Sequence, residues 1–170
     1  MGIFNFFKKG NSKNKQPSTQ DIIIKEANSC VDYVKHVYDK SLNYSMESLT
    51  QIENFLEDEC KQREEFSKDY TDEILFFRVS LYSAYVGETI RRNYGGEWFY
   101  EPPKDDQPLL EGGKDFVWQI KFNKRVLNRI TNGKLYSITS YLNIFFERLE
   151  KATPGQVFAF DGAVIQEGKV

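Results

Sequence analysis

The chain holds one histidine, two cysteines and no long hydrophobic run, and each scarcity closes off some chemistry. With His36 alone, a Ser-His-Asp triad elsewhere and any multi-histidine metal site are excluded. His36 itself lies off the apolar stripe of its segment and reads as an exposed helix residue. Cys30 and Cys60 lack close-spaced ligand partners. Each falls on an apolar helical face (Ala27, Cys30, Val34; Phe55, Leu56, Cys60), the setting of a buried free thiol. No stretch approaches the ~20 apolar residues needed to span a bilayer. The opening MGIFNFFKKG places its apolar residues before its lysines and shows no cleavage site, so no signal peptide is expected. Phe6 stands where N-myristoylation wants Ser or Thr. The expected compartment is the cytoplasm. A net charge of −2 argues against a generally basic nucleic-acid binder.

What is present suffices for one domain: 170 residues, of which 40% are hydrophobic and 15% aromatic, can fill a core. Residues 1–18 join a short aromatic piece (Ile3, Phe4, Phe6, Phe7) to a lysine-bearing polar one and read as a flexible leader. Aromatics beside lysines also fit a weak membrane-surface contact through residues 1–15. Residues 19–152 form the expected domain. Residues 153–170 are an extension in which Asp161-Gly162 lies between apolar runs, a β-hairpin signal.

The expected fold is α+β, with helices at about 19–40, 46–66, 71–94 and 138–151 on a small antiparallel sheet of strands 97–100 and 116–122. Ile23, Ala27, Cys30, Val34, Val37 and Tyr38 recur at helical spacing in the first helix, behind Ser18 or Thr19 as cap, and are expected to form one buried stripe. The second helix buries Leu49, Ile52, Phe55, Leu56 and Cys60. Its acids, Glu47, Glu53, Glu57, Asp58, Glu59, Glu64 and Glu65, read as a solvated face. The third helix is apolar round most of its circumference from Ile74 to Val86, which predicts burial between layers. Gly87 interrupts it, consistent with a neighbouring backbone passing close. Gly95-Gly96 ends it, and Glu97–Tyr100 follows as a strand. Residues 101–114 read as a loop. Phe116, Trp118, Ile120 and Phe122 then alternate with Val117, Gln119 and Lys121, a half-buried strand expected to pair antiparallel with the first. Asn123 is expected to cap a short helix ending at Gly133, and Ser137 the last long one.

Two clusters are candidate binding sites. Glu88 faces Arg91 and Arg92 at i+3 and i+4, beside Trp98 on the following strand. The expected role is an ion pair that fixes the helix–strand corner; the alternative is a polar pocket for a small ligand, or an acid–base role for Glu88. Lys121, Lys124, Arg125, Arg129 and Lys134 form a cationic run without an acid, with Lys124 and Arg125 at a helix N-terminus. A phosphate or RNA site there would want exposed aromatic platforms, and the nearby aromatics alternate inward, so solvated charge is the expectation. No cofactor is expected: phosphate-cradling glycines sit between a strand and a following helix, whereas Gly95-Gly96 end one. No acid spacing forms a metal cage.

Through Tyr44-Ser45-Met46-Glu47-Ser48-Leu49 and Ala84-Tyr85-Val86-Gly87-Glu88-Thr89-Ile90-Arg91-Arg92-Asn93-Tyr94-Gly95-Gly96-Glu97-Trp98, the chain resembles a group of small uncharacterised bacterial proteins. These pair a YS-x-x-SL helix start with an AY-x-GE-x-x-R helix and a GG-x-W corner. The likeness spans roughly residues 40–135. Some proteins of this look accompany toxin–immunity loci or lie among stress genes. The resemblance thus implies a cytoplasmic binding protein, with an immunity-like role as one form of it, and supplies no activity and no catalytic residue. The function expected is a non-catalytic protein-binding module, its charged faces suited to a charged protein partner.

Overall fold

The computed structural model describes residues 17–101 and 104–162. The elements run α1 (Thr19–Tyr38), α2 (Ser48–Glu65), α3 (Asp72–Tyr94), β1 (Glu97–Phe99), β2 (Leu109–Gly112), β3 (Val117–Ile120), α4 (Asn123–Asn132), a 3-10 turn (Gly133–Tyr136), α5 (Ile138–Glu150) and β4 (Val157–Phe160). The architecture is α+β. Among the described residues, no helix is long and apolar enough to cross a membrane. The leader's aromatics and the second arm of the expected hairpin lie outside the described residues.

Local chemistry sets most boundaries. Ser18 and Asp21 make a capping box at α1, each side chain accepting the other's backbone N–H. Thr71 caps α3 by accepting from the Ile74 N–H. Ser137 caps α5 by accepting from the Ser140 N–H. Ser45 accepts from the Ser48 N–H within a turn, so α2 begins later than its spacing suggested. Asn123 does not cap α4; the Gln107 Oε1 accepts from the Lys124 N–H instead.

The core forms around α3, in which every residue from Leu81 to Ile90 is buried. In its first turns only Leu75 and Val79 are buried while Phe76 and Phe77 are exposed, contrary to the expectation from apolar composition alone. The first turns are one-sided, and burial all round sets in only where α1 and the sheet cover the helix. On α1, Val37 is exposed and does not join the buried stripe expected of it. What comes close at Gly87 is a side chain rather than a backbone: a Cβ there would overlap the Trp98 ring. Gly95, at φ +81°, turns the chain out of the helix, its N–H donating to the Arg91 carbonyl.

The sheet runs β1-β2-β3-β4 and is mixed. β1 and β3, expected to pair antiparallel, do not pair with each other. β2 inserts between them antiparallel to both, with Trp98 opposite Leu110 and Leu110 opposite Ile120. Only two apolar residues, fenced by Pro108 and Gly112-Gly113, mark β2 in the sequence, too few to show an alternation. β4 joins β3 parallel after the chain has crossed over through α4 and α5. Trp98 and Trp118 are both buried on the helix-facing side, with Leu110, Ile120 and Phe160. Trp118 lies over Gly112, where a Cβ would collide with its ring.

Candidate functional site

The Glu88 cluster is a closed clamp. Glu88 is fully buried, and its carboxylate accepts from Arg91 Nε (2.7 Å) and Nη2 (2.9 Å) and from Arg92 Nε (2.8 Å). Burial opposes the charge, but the two arginines together outweigh it and hold the carboxyl below its ordinary range. The Arg92 guanidinium lies 3.6 Å over the Tyr44 ring. Tyr44 stacks on Tyr85, and the Tyr85 hydroxyl meets the Ser48 hydroxyl at 2.6 Å and accepts from the Tyr44 N–H. Asn93 donates to the Tyr44 carbonyl. The two halves of the sequence pattern, Tyr44–Leu49 and Ala84–Trp98, therefore fold against each other. Glu88, Arg91 and Arg92 line none of the three cavities described below.

The cationic run divides: Lys124 and Lys134 are exposed as expected, whereas Arg125 and Arg129 are buried. Arg125 is buried and donates through Nε (3.3 Å) and Nη2 (2.9 Å) to the Ser137 carbonyl. Arg129, also buried, donates to Glu53 (2.6 Å) and Glu57 (2.7 Å) on α2. Lys124 is exposed and, with Lys121, holds Asp106, whose carboxyl these cations lower to about 2.

The acids of α2 divide: Glu47, Glu64 and Glu65 are exposed as expected, whereas Glu53, Glu57 and Glu59 turn to partners. Glu53 turns its second oxygen to the start of α5, accepting from the N–H groups of Ile138 (2.7 Å) and Thr139 (3.3 Å). Glu59 is fully buried and accepts from the hydroxyls of Tyr33 (3.0 Å), Tyr70 (2.9 Å) and Tyr82 (3.1 Å), with Arg78 Nε 3.2 Å away. Burial first, and the Glu59 charge second, push these three phenols well above their ordinary range and that of Tyr38 to about 12. The spacing carried a signal for Glu59, which sits three and four residues after Leu56 and Phe55, on the apolar stripe itself.

Cys30 and Cys60 are free and buried, and burial raises both thiols. His36 is exposed. Among the described residues, no group of three or more His, Cys, Asp or Glu side chains is placed to hold a metal.

The open ground lies on the sheet face turned away from the helices. Phe99, Val117 and Val157 are exposed there. A groove of about 840 Å³ runs over this end of the sheet, between the α3–β1 corner and Leu149-Glu150 of α5. Its walls include Tyr94, Phe99, Phe116 and Val117, and its charged lining is Glu97, Glu111 and Glu150 against Lys114. Glu97 stands directly across from Glu111 in the β1–β2 register. Gln119 donates to Glu111 (2.6 Å), which leaves Glu97 exposed beside a second carboxylate. Like charges directly opposite on adjacent strands are destabilising. Comparison with protein-family models, curated proteins and solved structures found no match.

Proposed function

We propose that the protein is a cytoplasmic, non-catalytic protein-binding module that engages its partner through the outer sheet face. The observation that carries this reading is the Glu97–Glu111 pair set among exposed apolar side chains. A self-contained surface gains nothing from two facing carboxylates, whereas a partner bringing lysine or arginine with an apolar neighbour relieves the repulsion and covers Phe99 and Val117. Glu53 and Glu57 of α2 do not supply such a surface, because Arg129 of α4 neutralises them, and Arg125 is buried against the Ser137 carbonyl. The resemblance of residues 44–49 and 84–98 favours an immunity-like form of this reading, in which the partner is a protein to be sequestered.

The test places a photo-crosslinking amino acid at Phe99 or Val117 in the native cell, with Thr50 on α2 as control. The expected result is one discrete adduct from the sheet positions and none from Thr50. With that partner purified, the double variant Glu97→Gln, Glu111→Gln should bind about tenfold or more weakly and with less salt dependence. Adducts only from Thr50, or unchanged affinity, would overturn the reading.

A further inference from the structure

The indole N–H of Trp98 and the hydroxyl of Ser83 are buried and have no partner among the described residues. Both residues line one small cavity, of about 30 Å³, enclosed by α1, α3, β1 and the segment before β2. Trp98 has no freedom to turn its N–H outward, because its ring is seated against Gly87. An orphaned buried donor calls for a missing acceptor. The cavity adjoins a vestibule of about 210 Å³ and shares with it Ile23, Glu26, Ser80, Pro108 and Asn123. At this junction Glu26 accepts from the Ser80 hydroxyl (2.8 Å) through one oxygen, and among the described residues its other oxygen has no protein donor. Ile22 and Tyr100, both exposed, wall the vestibule on its outer side.

We propose that this is a binding site for a small molecule of amino-amide chemistry: a carbonyl oxygen on Trp98 and Ser83, an amine on Glu26 and a short aliphatic body in the vestibule. Each part follows from what its neighbours can do. Indole N–H only donates, so the innermost group must accept. The inner volume admits one such group and little more. A carboxylate only accepts, so the group at Glu26 must donate, and an ammonium adds charge attraction. The apolar walls of Ile22, Ile23, Tyr100 and Pro108 then take hydrocarbon. This site is separate from the outer sheet face and does not depend on it.

The test uses the full-length, nitrogen-15-labelled protein titrated with leucinamide, following the indole N–H signals of its two tryptophans. The Trp98 signal should shift saturably while that of Trp118 stays. Isoamylamine, which lacks the carbonyl, and 4-methylpentanamide, which lacks the amine, should each bind about tenfold or more weakly, as should leucinamide to Glu26→Gln. Ser83→Ala should weaken binding without lowering the melting temperature, because the hydroxyl has no partner to lose. No saturable shift at millimolar leucinamide would overturn the proposal. So would a Trp98 N–H in contact with a long-lived water that leucinamide does not displace, which would mark a hydration site only. Equal binding of all three compounds would also overturn it.

Discussion

Glu88 keeps its charge at zero exposure because guanidinium hydrogen bonds replace the water it gives up. Glu88→Gln keeps the shape but weakens those charge-assisted bonds, and is expected to cost about 1–3 kcal/mol. The pH dependence follows from the lowered carboxyl. An unfolded Glu titrates near about 4.3, so the stabilisation is complete above that pH and is lost as pH falls through the lower folded value. Urea melts from neutral pH into acid should show the native protein losing stability over that window and Glu88→Gln losing less. Equal acid slopes for the two proteins would contradict the charged clamp. The i+3 and i+4 spacing made this pair legible in the sequence. Its reach to Tyr44, across 48 residues from Arg92, was not, since no local period connects them.

At the scale of elements, the α1 stripe and the β3 alternation could be read directly because each has one wet and one dry face. α2 resisted that reading. Its carboxylates look alike along the sequence, yet Glu53 and Glu57 meet Arg129 from α4 and Glu59 points into a cage of phenols. Burial of an acid is decided by its partner, and Glu53 and Arg129 stand 76 positions apart. The phenol cage has an alkaline signature. A phenol in water loses its proton near about pH 10, and these four are held protonated above it. A raised folded pKa means stabilisation that is complete below about pH 10 and is lost as pH rises toward the folded value. Phenolate absorbance on raising the pH should therefore appear in two stages, with Tyr33, Tyr38, Tyr70 and Tyr82 ionising only as the helices unfold. A single stage complete before the loss of helical circular dichroism would show that the cage is not formed.

At the scale of the molecule, the charged clusters that the sequence marked turn partly inward, through Glu59, Glu88, Arg125 and Arg129. The acidic α2 and the basic α4, which in sequence resemble two docking faces, are bonded to each other. The patterned residues 44–49 and 84–98 hold α3 to the α1–α2 turn. The outer sheet face stays open with its acid pair, and only part of it was legible. The alternation of β3 turned Val117 outward, but the acid pair depends on β2, which hid in an apparent loop. Hydrogen–deuterium exchange with the crosslinked partner, read segment by segment, tests this assignment most directly. Slowed exchange concentrated in 97–99, 109–112 and 117–120, with α2 and α4 unchanged, is the predicted result. Protection confined to α2 and α4, with the strands exchanging as in the free protein, would contradict it.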